Sequence, residues 1–188
     1  MHPNARFHAD AAAGLALVEE IAFATLVSDG IVAHAPLTVV DGDLWFHLAR
    51  GNRLCAALPG RVTACVLDAG GYVTPDWYAR GANQVPTWNY RAAEAEGTVR
   101  ALDDADVLRQ MDMLADAHEP RVGGRWTRAK LDDAAQAALI GAIRGFALTP
   151  DAWRVTLKAS QNKAATDRDG VRAGLARAGR EDMLRWTA

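Results

Sequence analysis

Residues 22–48, AFATLVSDGIVAHAPLTVVDGDLWFHL, decide the fold. Ala22 to Ser28 is apolar and β-branched, and Ser28-Asp29-Gly30 is turn chemistry. Ile31 to Val40 runs on to a second turn at Asp41-Gly42-Asp43, and Leu44 to Leu48 makes a third strand. Two Asp-Gly turns this close join neighbouring strands as hairpins, so the stretch reads as an antiparallel meander.

Upstream, Asp10 is placed to cap a helix that carries Leu15, Val18 and Ile21 at helical spacing, and the period changes at Ala22. Downstream, a short helix is expected over Asn52 to Leu58, a strand over Arg61 to Leu67, and a short strand over Tyr72 to Thr74. One helical turn follows from Pro75, with a loop over Arg80 to Gln84. Val85 to Leu102 contains a long strand. Asp103 caps a helix reaching about His118, and another helix lies within Leu131 to Ile140. Arg144 to Leu148 and Trp153 to Leu157 read as a last hairpin turned at Thr149-Pro150-Asp151, and the chain from Ala164 reads as helical and Arg-rich. Hairpin-linked strands with helices inserted between them, without regular alternation, predict an α+β fold around an antiparallel barrel.

The chain has 188 residues, half of them hydrophobic, enough for one domain spanning 1–188 with its own core. No apolar run approaches the ~18 residues of a membrane span, and the first ten residues lack a leader's basic-then-apolar pattern, so a cytoplasmic protein without membrane contact is expected. Cys55 and Cys65 have no spacing that suggests zinc, no metal site is expected, and both cysteines read as buried free thiols. The net charge of −2 divides unevenly: from residue 151 there are eight Lys/Arg against five Asp/Glu, and thirteen against eighteen before it. A +3 tail on a −5 body admits local contact with phosphate and argues against a generally nucleic-acid-binding surface.

Three clusters carry chemistry. In His47-Leu48-Ala49-Arg50-Gly51-Asn52-Arg53 a strand gives way to a helix, and unpaired N–H groups beside two guanidiniums would cradle an anion. On spacing alone the plainer reading, solvated charges beside a helix cap, is the stronger. Tyr72, Trp77, Tyr78, Trp88 and Tyr90 concentrate five rings within about twenty residues; a planar ligand uses such rings, and a core or a subunit interface uses them more often. Lys158-Ala159-Ser160-Gln161-Asn162-Lys163 is a polar run after an apolar strand, readable as a capping loop. His34 and His47 on adjacent strands read as satisfied barrel histidines. No nucleophile triad, P-loop, dinucleotide fingerprint or helix-turn-helix is present.

The strings Tyr72-Val73-Thr74-Pro75-Asp76-Trp77-Tyr78, Val85-Pro86-Thr87-Trp88-Asn89-Tyr90 and Lys158-Ala159-Ser160-Gln161-Asn162-Lys163, with Asp167-Arg168-Asp169-Gly170-Val171 behind them, resemble the PaiB family. His47-x-Ala49-Arg50-x-Asn52 and the opening Met1-His2-Pro3 to Phe7 resemble it as well. Departures are Ala35 in His34-Ala35-Pro36-Leu37, where a larger apolar residue is expected, and Ala159, where Leu is common. The resemblance implies an FMN-binding split barrel related to pyridoxamine-phosphate oxidase and flavin reductase barrels, with flavin sites shared across a homodimer. It implies phosphate ligands at Arg50, Asn52 and Arg53 with His47 and Ala49 beside them, and His34, Ala35, Pro36 and Leu37 along the isoalloxazine edge. Trp88, Asn89 and Tyr90 would come from the partner subunit, and Lys158, Ser160, Gln161 and Asn162 would complete the cofactor site. PaiB proteins are described as transcriptional regulators of sporulation and protease genes, so the resemblance implies a flavin-binding regulator, with DNA contact through the tail from Arg168 to Arg185. A flavin-dependent oxidoreductase and, more distantly, a haem-binding barrel with His34 or His47 as ligand are the alternatives.

Overall fold

The computed structural model describes residues 1–81 and 83–187. Asp10 caps α1 (Ala11–Ile21) by accepting from the Ala13 N–H at 2.9 Å, and α1 ends at Ala22 in the left-handed conformation. The meander follows as β2 (Phe23–Ser28), β3 (Ile31–Val40) and β4 (Asp43–Ala49), preceded by a two-residue strand β1 (His8–Ala9). Both connecting turns have positive φ at their two central residues, Asp29-Gly30 and Asp41-Gly42, the backbone twist that suits a right-handed hairpin.

α2 (Arg53–Ala57) leads into β5 (Arg61–Val73), a single strand where two were expected. Its register with β6 (Thr87–Ala101) shifts between Asp68 and Gly71, and this irregularity absorbs Gly70, so the strand bends without ending. The loop expected over Arg80 to Gln84 includes residue 82, which lies outside the described residues. Asp103 caps α3 (Asp104–His118) and Asp132 caps α4 (Asp133–Ala142), each accepting from a backbone N–H three residues on at 2.8 Å.

The expected last hairpin is not formed: Ile143–Lys158 is one strand, β7, continuing through Pro150. Glu96 pairs with Ala152 and Gly97 with Pro150, so Asp151 is the extra residue of a bulge, a place where proline's missing N–H leaves no ladder bond unmade. Gly97 makes the crossing geometrically feasible, since a Cβ there would lie 2.0 Å from the Thr149 carbonyl oxygen.

The strands run in the order β1-β7-β4-β3-β2-β5-β6, and β6 pairs again with β7, closing a six-stranded antiparallel barrel in which β1 pairs with β7 beyond the stretch that β4 covers. Inward-facing Leu26, Leu37, Leu44, Val62 and Leu148 fill it around stacked Phe46 and Phe146, whose ring centroids are 5.5 Å apart, and Leu17 and Val18 of α1 join this core. α3 covers the outer face of β4, where Trp45 meets Leu102 and Met113. The chain ends in α5 (Ala165–Arg177) and α6 (Glu181–Leu184), whose Val171, Leu175 and Met183 bury against Val73 and Tyr78. No described helix is long and apolar enough to cross a membrane.

Candidate functional site

The residues singled out in the sequence fall into two groups at opposite ends of the β6–β7 ribbon. His47 pairs with Gly145 near the start of β7, and Tyr90 pairs with Lys158 at its end, thirteen residues farther along. At about 3.3 Å per residue that is roughly 40 Å of strand.

At the first end, Pro36 of β3 and His47 of β4 line a cleft of ≈ 290 Å³ with Leu114, His118 and Trp126. Gln110 of α3 is fully buried beneath it and donates from Nε2 to the Trp45 carbonyl at 2.9 Å. A carbonyl only accepts, so the amide oxygen of Gln110 must face the other way, where it lies 3.0 Å from His47 Nδ1. A neutral His47 therefore carries its proton on Nδ1 and keeps Nε2 as a bare acceptor. Gln110 was not singled out in the sequence. Its signal was a polar residue at the buried helical phase, between Val107 and Leu114.

Beyond His47 the strand-to-helix junction divides its tasks. Arg50 donates from Nε to the Gly141 carbonyl at 2.7 Å, and its backbone N–H donates to Ala142 at 2.9 Å, which caps the C-terminus of α4. Asn52 is the N-cap of α2, its side chain accepting from the Leu54 N–H at 2.9 Å. Arg53 is exposed and makes no salt bridge among the described residues. Cys55 is buried, and burial pushes its thiol up. Cys65, expected to be buried, is partly exposed because it stands on the outer face of β5.

The four-residue segment of β3 alternates. His34 and Pro36 face outward, with His34 Nδ1 3.2 Å from the Thr25 hydroxyl, while the Ala35 and Leu37 side chains are buried in the barrel and offer the surface only their backbone. Around His34 the outer face is apolar: Phe23, Val32 and Leu67 are more than half exposed.

At the second end, Trp88 is 55 % exposed and meets Tyr72 edge-to-face at 6.4 Å. Asn89 is fully buried and bonded to Ser160, its Nδ2 donating to Oγ at 2.9 Å. Tyr90 is half-buried. Gln161 is committed to the backbone: its Oε1 accepts from Ala159 and its Nε2 donates to Arg6 and Leu157, pinning the amino-terminal segment to the end of β7. Lys158, Asn162 and Lys163 line a second cavity here with His2 and Phe7.

The basic tail is folded onto the barrel. Arg168 donates to the Lys163 carbonyl, Arg172 to Thr187, and Arg180 to Gly70, so three of its guanidiniums hold the tail's own backbone or the strand beneath it.

The family described as "Putative FMN-binding domain" matches residues 1–152. The chain is 26% identical over 160 residues to Protease synthase and sporulation protein PAI 2 of Bacillus subtilis, a match that covers 80% of this chain and 76% of that one. An uncharacterized protein of Saccharomyces cerevisiae is 31% identical over 114 residues, covering 53% and 67%. Among solved structures, the FAD and heme binding protein from Mycobacterium smegmatis superposes with a TM-score of 0.57 at 23% identity, covering 84% of this chain and 75% of that one. Flavocytochrome Anf3 from Azotobacter vinelandii reaches 0.62 at 17% identity, covering 84% and 72%. These two share the split-barrel fold. The chain belongs to the FMN-binding family of PaiB type, and its cofactor is FMN.

Proposed function

We propose that the protein is an FMN-dependent redox protein that works as a homodimer, its flavin lying along the outer face of β3 and β4 and covered by the Trp88 end of a second copy. The reading is supported by the division of the site residues into two groups, His47 pairing with Gly145 near the start of β7 and Tyr90 with Lys158 at its end. Exposed Phe23, Val32 and Leu67 supply the apolar face that a second copy would cover.

The surface suits the cofactor. A path runs from the cleft at Pro36 and His47, past exposed His34 and Ala49, to Arg53, whose guanidinium makes no ion pair among the described residues. Arg53 would hold the phosphate, with the free amide nitrogen of Asn52 beside it, while Arg50 fixes the junction from behind. His47 Nε2 would accept a hydrogen bond from the ring edge, and Ala49 leaves room for a planar group to lie close to the strand. Bound FMN supplies one- and two-electron chemistry that no side chain of this site possesses. Trp88 and Tyr90 from the second copy would shut water out.

The test is the visible spectrum of the purified protein followed by anaerobic mixing with NADPH or NADH. A flavin spectrum that bleaches faster than free FMN is the expected result. Sedimentation at about 20 kDa, the mass of one chain, would overturn the dimer.

A regulatory role is the second reading, favoured by the name of the Bacillus relative and the +3 tail. With Arg168, Arg172 and Arg180 engaged, it would rest on Arg177 and Arg185. A mobility shift with the protein's own promoter that weakens steeply with salt would support it.

A further inference from the structure

The cavity at the Lys158 end has a charge pattern that the fold does not balance. It measures ≈ 260 Å³, and no aspartate or glutamate lines it. Two ammonium groups face it. Lys158 Nζ has the Thr87 hydroxyl at 2.6 Å and the Phe7 ring at 6.0 Å; Lys163 Nζ has the Gln84 amide oxygen at 2.9 Å and the Tyr78 ring at 4.3 Å. Neither makes a salt bridge among the described residues, in a protein where most of the partly buried guanidiniums find carboxylates. Burial and the neighbouring Lys163 charge both hold Lys158 below the usual lysine range. Two like charges set in a half-buried pocket without a counter-charge cost stability, and a bound anion removes that cost.

The remaining walls describe the rest of the ligand. Phe7, Val85 and Pro86 form an apolar side, while Asn89 and Ser160 satisfy each other and leave Asn162 to offer a neutral polar contact. The cavity has room for a single ring bearing a charged substituent and is much too small for a dinucleotide.

We propose that this cavity is the substrate site, taking a small aromatic or aliphatic molecule through an anionic oxygen group, a phosphate monoester or a carboxylate, clasped between Lys158 and Lys163. Its role as substrate site rests on the dimeric flavin reading above, in which the Lys158 end of a second copy covers the flavin face; its affinity for the anion does not. The two ammoniums make a dianion the better fit, so a phosphate ester is bound more tightly than a carboxylate.

The experiment is calorimetric titration of the FMN-loaded protein with phenyl phosphate, benzoate and uncharged benzyl alcohol, repeated on Lys158→Met, Lys163→Met and Lys158→Arg. Phenyl phosphate should bind wild type more tightly than benzoate, and lose at least tenfold in each Met variant with substantial recovery in Lys158→Arg. Benzyl alcohol should bind weakly and equally throughout. Three outcomes overturn the inference: no binding of phenyl phosphate at millimolar concentration, equal binding by wild type and Met variants, or a parallel tenfold loss of FMN in Lys158→Met, which would make Lys158 a ligand of the flavin's own phosphate. If wild type retains no FMN, the flavin reading fails, and the same titration on the apoprotein still decides whether the cavity holds anions.

Discussion

The two ends of the β6–β7 ribbon are built on opposite principles. At the His47 end the buried amide of Gln110 is answered on both sides, joining His47 to the Trp45 carbonyl, and Arg50 ties the junction to α4, while the Trp45 indole N–H has no partner among the described residues. At the Lys158 end two ammoniums stand without a carboxylate partner among the described residues. The first end satisfies Gln110 and Arg50 within the protomer and presents a surface; the second holds two ammoniums that await a counter-charge. Sites that evolve to bind are commonly less stable than their scaffold requires, and at the Lys158 end that trade takes the form of uncompensated charge.

The largest effect should come from cutting the ribbon between the two ends. Gly97→Val would drive a side chain into the Thr149 carbonyl at the bulge, and overpacking against backbone costs about 3 kcal/mol or more. Urea unfolding should show a lowered midpoint together with loss of both FMN binding and anion binding; a variant that keeps either would show that the ends are independent of the crossing.

Next comes the division of labour between the two arginines. Arg53→Ala should weaken FMN about ten- to a hundredfold and leave riboflavin unchanged, since a hydrogen bond to a charged group contributes about 1.5–3 kcal/mol. Arg50→Ala should instead lower the stability of the α4 junction and reduce FMN and riboflavin affinity together. A phosphate-selective loss in Arg50→Ala would reverse the assignment.

The remaining two effects have opposite signs, and so sharpen the contrast most. Gln110→Leu leaves the Trp45 carbonyl and His47 Nδ1 unpaired and should destabilise by about 1–3 kcal/mol; nitrogen NMR should also show His47 losing its fixed Nδ1–H tautomer. Lys158→Met should raise the unfolding midpoint of the apoprotein slightly. The sign follows from the depressed folded pKa of Lys158: its ammonium is disfavoured in the fold, so the penalty is present at neutral pH and disappears as pH rises toward 10.5, the unfolded value. The advantage of the variant should therefore shrink in alkaline buffer. An advantage independent of pH would point to better packing by Met in place of a removed charge.

Local chemistry made most of the fold legible. β3 over Ile31–Val40 and α3 over Asp104–His118 follow from Asp-Gly turns and an aspartate cap, signals contained within a few residues. The failure at Pro150 is of another kind. A proline between two apolar runs ordinarily turns a chain, and what leaves room for β7 to continue is Gly97, a residue on another strand. The candidate site divides the same way. Arg53 and Lys158 were readable as charges in suggestive strings, whereas the partner of Arg50 lies some ninety residues away on α4 and that of His47 lies 63 away on α3. Inter-element partners of this sort leave no mark in a window of sequence.

The closing ladder between β6 and β7 also sets how the molecule is assembled in time. Strands β2 to β4 can form as adjacent hairpins, but Ala101 must find Phe146 and Thr87 must lie near Lys158 before the barrel shuts, and each such long loop carries an entropic cost that is met ahead of any reward. α3 and α4 lie inside that loop and, capped by their own aspartates, can form beforehand and shorten it. Closure is therefore a late event in folding, and the cavity at Lys158, which needs both strands, the amino-terminal segment and the residues before β6, is among the last features to exist.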